Sequence, residues 1–289
     1  MDYEGVVIRP PSEADSIILQ ATVGCSHNRC RFCGAYKGVR FRIRSPEELD
    51  RDLAWAARFC QRQQRLFLAD GDVLSLATGR ILSLCDRIRK QLPGVRRLAA
   101  YGNAKGLRGK SLAELAALKK AGLARVYLGL ESGHDPTLAR MDKGVTAATM
   151  IEVGQRLRAA GLFLSVTVLL GLAGRQDSQA HAEASGRVLS AMAPSQIAAL
   201  TLMPLAGTPL AADIAAGRFH PLPVPGLLTE LRTLVAAIDL PRVQFQANHA
   251  SNWLALDGRL PRDRHRFLDA IDQALAGRRE LRPEYLRSL

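Results

Sequence analysis

Strand and helix signals alternate along roughly the first 200 residues, and that alternation leaves few folds open. Apolar, β-branched stretches at Ser16–Val23, Leu66–Leu68, Arg97–Tyr101, Arg125–Leu130, Leu162–Leu170 and Gln196–Leu202 read as strands. Helical patterns lie between them. Ser45-Pro46-Glu47-Glu48 opens one with an N-cap, a first-turn proline and an acid that completes a capping box. Leu49, Leu53, Ala56 and Cys60 form its apolar stripe. A second runs over Thr78–Gln91, with Ile81, Cys85, Ile88 and Leu92 on one face. A third is capped by Ser111 and Glu114 and stops near Gly122. Two more cover Thr146–Ala160 and Asp177–Met192.

Six such repeats predict an α/β fold. The sheet is parallel with helices outside, curled by right-handed crossovers into a partial (β/α)6 TIM-like barrel over residues 1–205. After Leu202 the texture changes. Met203–Pro225 is rich in Pro and Gly. A helix over Gly226–Ile238, a strand at Val243–Gln246 and a terminal helix bearing Phe267, Ile271 and Leu275 then predict a C-terminal α/β extension, residues 206–289, packed on the barrel. In such a fold the chemistry collects at the C-terminal ends of the strands. Cys25, Asp70-Gly71-Asp72, Asn103 and Glu131 all stand there.

The cysteines sharpen this. Five are present, and Cys25, Cys30 and Cys33 follow the first strand on one loop. That pattern argues for a metal or redox site in a reducing compartment rather than a disulfide framework. Three thiolates can hold three corners of a [4Fe–4S] cluster, leaving the fourth iron open as a catalytic site requires. Gly24 and Gly34 give the loop room to wrap it. A Cys3His zinc site with His27 is the competing reading. Cys60 and Cys85 read as core residues on their helices.

With the loop, the strand ends and the repeats in place, the sequence resembles the radical S-adenosylmethionine (SAM) superfamily over its first ~200 residues. Phe32 precedes the third cysteine, where that family carries an aromatic residue; the first cysteine gap is one longer than the commonest pattern. Asp70-Gly71-Asp72 stands where the family has a turn that binds the SAM amino group. Gly129-Leu130-Glu131-Ser132-Gly133 is similar to the fourth-strand motif of the oxygen-independent coproporphyrinogen oxidase and methylthiotransferase-like branch. There the resemblance implies SAM contacts from Glu131, Ser132 and, twelve residues beyond Glu131, Lys143. Gly171-Leu172-Ala173-Gly174 resembles the turn beside the adenine, with Arg175-Gln176 where the family's next acid is expected. Met203 to Leu210 resembles the sixth-strand segment of the same branch.

The resemblance implies a [4Fe–4S] cluster on Cys25, Cys30 and Cys33. It implies SAM held by Phe32, Asp70, Gly71, Asp72, Asn103, Glu131, Ser132, Lys143 and Leu172. It also implies reductive cleavage of SAM to a radical, with electrons from a partner such as flavodoxin or ferredoxin. The substrate is not named. The plain readings are a surface ion pair for Glu131 and Lys143, and turn caps for Asp70 and Asp72.

Forty Lys and Arg against 27 Asp and Glu give a net charge of +13. The charge is spread along the chain, so it suits either an anionic substrate or a solvated basic surface. An RNA-modifying enzyme of the same chemistry is the alternative function, disfavoured because no appended RNA-binding module is visible. A non-catalytic iron–sulfur or zinc protein is the second alternative. Arg40, Arg42 and Arg44 alternate with Phe41 and Ile43, which predicts three guanidiniums on one side of an extended segment, placed to grip an anion or to form a solvated edge. Asn248, His249 and Asn252 read as a turn cap or as part of a substrate mouth. The longest apolar run, Leu162–Leu172, is too short to span a membrane, and no signal peptide opens the chain. A cytoplasmic protein is expected.

Overall fold

The computed structural model describes residues 1–288. In chain order the elements are β1 (Ile17–Gln20), β2 (Thr22–Val23), β3 (Arg42–Ile43), α1 (Pro46–Phe59), β4 (Arg65–Ala69), α2 (Thr78–Gln91), β5 (Arg97–Gly102), α3 (Ala104–Leu107) and α4 (Leu112–Lys120). Then follow β6 (Leu123–Glu131), α5 (Asp135–Arg140), α6 (Ala147–Ala159), β7 (Phe163–Leu170), α7 (Gly174–Met192), β8 (Gln196–Thr201) and α8 (Pro209–Ala215). The last are α9 (Val224–Ala237), β9 (Val243–Gln246), β10 (Asp257–Leu260) and α10 (Arg264–Leu275). Eight strands form one mostly parallel sheet in the order β1-β4-β5-β6-β7-β8-β9-β10, and β2 pairs with β3 alone. The six expected strands are all present. The predicted strand at Val243–Gln246 joins their sheet as β9, parallel to β8, and β10 closes on it antiparallel.

The chain divides into two compact units. One holds Met1–Asn28, Ala35–Leu128 and Arg156–Leu164; the other holds Arg29–Gly34, Gly129–Gln155 and everything from Ser165 onward.

In the first unit the parallel register aligns Ile17 with Leu66 and Leu66 with Leu98, one step before Ile18–Phe67–Ala99. Alternation therefore sends Leu19, Leu66, Leu68 and Leu98 to one face of the sheet and Ile18, Phe67, Ala99 and Tyr101 to the other. On the second face Phe67, Ala69, Ala99 and Tyr127 cluster with Val7, Ile18 and Tyr101. Phe67 and Tyr101 meet edge-to-face at 5.0 Å. Helix α1 starts as its sequence dictates: Ser45 Oγ accepts from Glu48 N at 3.2 Å, and Glu48 accepts from Ser45 N at 2.6 Å. Such a cap is worth ~1 kcal/mol. The helix buries Leu49, Leu53 and Ala56. Cys85 is buried in α2, and burial pushes its thiol up to about 11. Cys60 departs from the expectation. It is the half-buried C-cap of α1, one residue past the last helical turn.

The arginine ladder is also corrected. Arg44 is 1% exposed and donates to Asp52 Oδ2 at 2.8 Å and to the Asp2 carbonyl at 2.7 Å. Arg42 donates to both oxygens of Glu48 at 2.8 and 3.1 Å and also pairs with Glu4. The period of two was right, but carboxylates of α1 and the N-terminal segment face the strand. Two of the three guanidiniums are thereby spent on the fold, and a buried one must be. Arg40 is the exposed member.

In the second unit β7, β8 and β9 are parallel neighbours. Helices α7 and α9 approach closely at Gly186, where an added Cβ would sit 2.5 Å from Ala237 Cβ. The turn after β9 is a structural cap. Thr201 Oγ1 donates to Asn252 Oδ1 and Asn252 Nδ2 to the Ala199 carbonyl, both at 2.8 Å, and Arg282 binds the carbonyls of His249 and Asn252. Among the described residues no helix is long and apolar enough to cross a membrane.

Candidate active site

In the first unit the loop after β2 and the turn after β4 are built against each other. Gly24, at φ +78°, precedes Cys25. Asp70 is 1% exposed at the end of β4, and three groups donate to it: Gln20 Nε2 at 3.1 Å, the Tyr36 hydroxyl at 3.0 Å and the Gly24 N–H at 3.3 Å. Burial pushes the carboxyl up, and those donors oppose the shift. Its own N–H donates to Thr22 Oγ1 at 3.3 Å. Asp72 is fully buried and accepts a short hydrogen bond from the Ser26 hydroxyl. The two acids therefore grip the chain on either side of Cys25. Gly71 lies between them with no room for a side chain: a Cβ would come 2.6 Å from the Tyr36 ring and 3.2 Å from Cys25 Cβ. Asn28 ties the base of the loop, donating to the carbonyls of Tyr36 and Val39 at 2.7 and 3.2 Å, from a left-handed φ of +40° that Asn tolerates. Asn103, at the end of β5, caps the short α3 by accepting from Lys105 N at 3.0 Å.

The second unit holds Cys30, Phe32 and Cys33. Their segment is pinned by its neighbour Arg31, whose N–H donates to the Met141 carbonyl and whose carbonyl accepts from Leu210 N, both at 3.0 Å. The Arg31 guanidinium reaches Asp213 at 2.6 Å; Arg31 and Arg218 hold that carboxyl below its ordinary range. Cys33 N donates to the Cys30 carbonyl at 3.3 Å, closing a tight turn. Phe32 packs on Met141, Leu172, Leu210 and Phe219, so Leu172 is a fully buried partner of Phe32.

Glu131 ends β6 with φ +63°, a strained value for this residue type. Its carboxylate folds back over Gly129 and meets Lys143 Nζ at 3.1 Å, each side chain being 13% exposed. Ser132 turns inward. Its Oγ lies 2.7 Å from His181 Nδ1 and accepts from His134 N at 3.0 Å. Asp177, the residue after Arg175-Gln176, pairs with Arg140 at 3.0 Å.

The structure thus joins Cys25, Asp70, Gly71 and Asp72 in one unit. In the other it joins Phe32 with Leu172 and Glu131 with Lys143. Sequence reasoning missed Tyr36, Ser26 and Gln20, which brace the acids, and Arg31, which pins the second cysteine pair. Ser26 and Arg31 are spacers of the cysteine motif and Gln20 and Tyr36 lie outside it; each is recognisable only by what it meets.

These residues fit an iron–sulfur group. Cys25 in the first unit and Cys30 and Cys33 in the second are half-buried thiols outside any disulfide, the donor type that such a group takes. Among the described residues no three His, Cys, Asp or Glu side chains converge as one metal ion would need.

The radical SAM superfamily model matches residues 19–183, more than half of the chain, and the chain belongs to that superfamily. It is therefore an enzyme of the radical SAM class, whose cofactors are SAM and a [4Fe–4S] cluster. No curated protein matches it. Among solved structures it is similar to the radical SAM methyltransferase TsrM from Kitasatospora setae, with 19% identity and a TM-score of 0.57 over 70% of this chain and 39% of that one. Coproporphyrinogen III oxidase (HemN) from Escherichia coli gives 16% and 0.55 over 76% and 52%. Methylornithine synthase (PylB) gives 16% and 0.53 over 77% and 63%. At these identities the likeness is one of fold, and the chain spans less than two thirds of each neighbour.

Proposed function

We propose that the chain holds its cluster on Cys25, Cys30 and Cys33 and cleaves SAM reductively to act on a substrate not yet identified. With both cofactors bound, the chemistry supplied is one-electron cleavage of a sulfonium C–S bond to a 5′-deoxyadenosyl radical, which takes a hydrogen atom from the substrate. The protein's part is to bind, orient and keep water out. The observation that carries the reading is the double grip on Cys25: Asp70 holds Gly24 and Asp72 holds Ser26, so the turn after β4 fixes the first thiol. Phe32, backed by the buried Leu172, supplies an apolar surface for the adenine. Glu131 and Lys143 offer an acceptor and a cation to the polar parts of SAM. Gly71 offers the backbone of its turn to the SAM amino group, and Asn103 and Ser132 are further SAM-binding residues on this reading.

On this reading residues 1–205 are the cofactor-bearing barrel and 206–289 an extension over it. The protein works in the cytoplasm with a flavodoxin- or ferredoxin-like reductant. Anaerobic reconstitution tests it. Wild-type protein is expected to show an iron–sulfur absorption band, a SAM-dependent change in the reduced cluster's paramagnetic signal, and release of 5′-deoxyadenosine. Cys30→Ala is expected to lose all three. A wild-type protein that takes up no iron, or a Cys30→Ala protein that keeps the SAM response, would refute it.

A further inference from the structure

Another buried acid lies in the second unit, on a helix that no motif reaches. Glu230, on α9, is 2% exposed. Its Oε1 accepts from the Gly171 N–H at 2.6 Å and its Oε2 from the Ser178 hydroxyl at 2.5 Å. His181 of α7 brings Nε2 to 3.6 Å from Oε1, too far for a hydrogen bond. The other ring nitrogen is 2.7 Å from Ser132 Oγ, at the end of β6. Ser132 Oγ also accepts from His134 N, so the contact with Nδ1 ties the ring to the Glu131–Ser132 strand end in either tautomer. Two helices thus carry one polar node that reaches two strand ends: Gly171 after β7 and Ser132 after β6.

The geometry at Gly171 explains why an acceptor is needed there. Gly171 stands at φ +83° and Gly174 at φ +71°, and Gly174 N donates back to the Gly171 carbonyl at 3.1 Å. The turn is closed on itself, so the Gly171 N–H points away from it into the protein. Side chains have no room at either end. A Cβ on Gly171 would lie 3.0 Å from Leu227 and one on Gly174 would lie 3.2 Å from the His220 carbonyl. A buried N–H without an acceptor is costly, and Glu230 supplies the acceptor.

We propose that Glu230 is a positioning residue for SAM: it fixes the Gly171–Gly174 turn, so that the turn presents a preformed surface to the adenosyl group. This rests on the SAM-binding reading given above. Several groups face the node. From α7 come Ser178 and His181. His134, just before α5, and Arg140 at its end act on His181 by charge. On α9 itself Arg232 is turned away onto Asp272 of α10. Within this shell no cation reaches Glu230, and burial pushes it up to about 7. Its charge, and with it the strength of its hold on Gly171, therefore changes near neutral pH.

Binding of S-adenosylhomocysteine, which cannot be cleaved, tests this on anaerobically reconstituted full-length protein. Wild type is expected to bind more weakly as pH falls through about 7. Glu230→Gln carries the same kind of neutral acceptor as the protonated acid, and is expected to bind at every pH about as wild type does below pH 7, without the pH dependence. Glu230→Ala is expected to bind about tenfold more weakly at every pH, with the melting transition still cooperative. Ser178→Ala removes one donor that favours the charged form; it is expected to move the midpoint upward, and keeps the test open if Glu230→Ala does not fold. Glu230→Ala binding like wild type, or a Glu230→Gln protein with an unchanged pH profile, would overturn the inference while leaving the cluster and SAM assignment standing. A wild type that binds neither S-adenosylhomocysteine nor SAM would overturn both.

Discussion

Asp70 and Glu230 are both buried acids that hold a turn at the end of a parallel strand, yet they reach it by opposite routes. Asp70 belongs to the turn it serves: it ends β4 and collects donors from β1, the cysteine loop and Tyr36. Glu230 is a visitor from α9, 59 residues beyond the Gly171 N–H it receives. Both carboxyls are pushed up by burial, and neither has a guanidinium or ammonium on it. A full charge beside either turn would compete for a charged ligand. Neutral donors satisfy the carboxylate and keep the turn rigid without that competition. The surface acids of this protein differ: Glu48, Asp213 and Asp263 sit on arginines and are held low.

The comparison breaks most sharply at Asp70. Asp70→Ala leaves Gln20 Nε2, the Tyr36 hydroxyl and the Gly24 N–H without their acceptor inside the first unit. Each such group costs ~1–3 kcal/mol, so a loss of about 3 kcal/mol or more is expected in urea unfolding. Iron content after reconstitution should fall with it, because the Gly24–Cys25 backbone loses its anchor. Stability and iron uptake unchanged from wild type would show that the grip on Cys25 is incidental.

The second test uses pH. Glu230 is pushed up from 4.5 to about 7 and His181 down from 6.5 to about 4, both chiefly by burial. Between about pH 4.5 and 7 the folded protein keeps a proton on Glu230 that the unfolded chain has lost, so this group makes stability fall as pH rises. Between about pH 4 and 6.5 the unfolded chain holds a proton on His181 that the folded protein excludes, so that group makes stability rise. The two effects are each about 3 kcal/mol and nearly cancel where the windows overlap. Glu230→Gln should therefore expose a rise in stability from about pH 4 to 6.5, and His181→Asn a fall from about pH 4.5 to 7. Flat profiles in both variants, read from urea midpoints, would show that the node does not titrate as a pair.

The same contrast explains what the sequence could tell. The strand order β1-β4-β5-β6-β7-β8, the capping boxes at Ser45 and Ser111, and the placement of Cys25, Asp70 and Glu131 at strand ends all follow from local signals: period, caps and turns. What stayed hidden depends on contacts between segments distant in the chain. The fate of Arg42 and Arg44 was set by Glu48 and Asp52 on the next helix. The inward turn of Ser132 was set by His181, and Arg31 acquired its role from Asp213. Glu230 itself looked like any acid on an amphipathic helix, because nothing local marks a carboxylate as buried.

The smallest effect should come from Ser26, the weaker half of the grip on Cys25. Its side chain is exposed and its hydroxyl supplies one donor to Asp72. The bond is part-buried and its acceptor is fully buried, so Ser26→Ala should cost about 1 kcal/mol in urea unfolding, less than Asp70→Ala. The loop is a different matter. With Asp72 no longer tied to the residue after Cys25, only Gly24 on Asp70 fixes that thiol from the turn side. Loss of the cluster to a chelator should then run a few times faster than in wild type, while Ser178→Ala, which touches only the Glu230 node, should leave that rate unchanged. Equal rates for both variants would mean that the two acids do not divide the work as their positions suggest: Asp70 and Asp72 for the cluster loop, Glu230 for the turn that meets SAM.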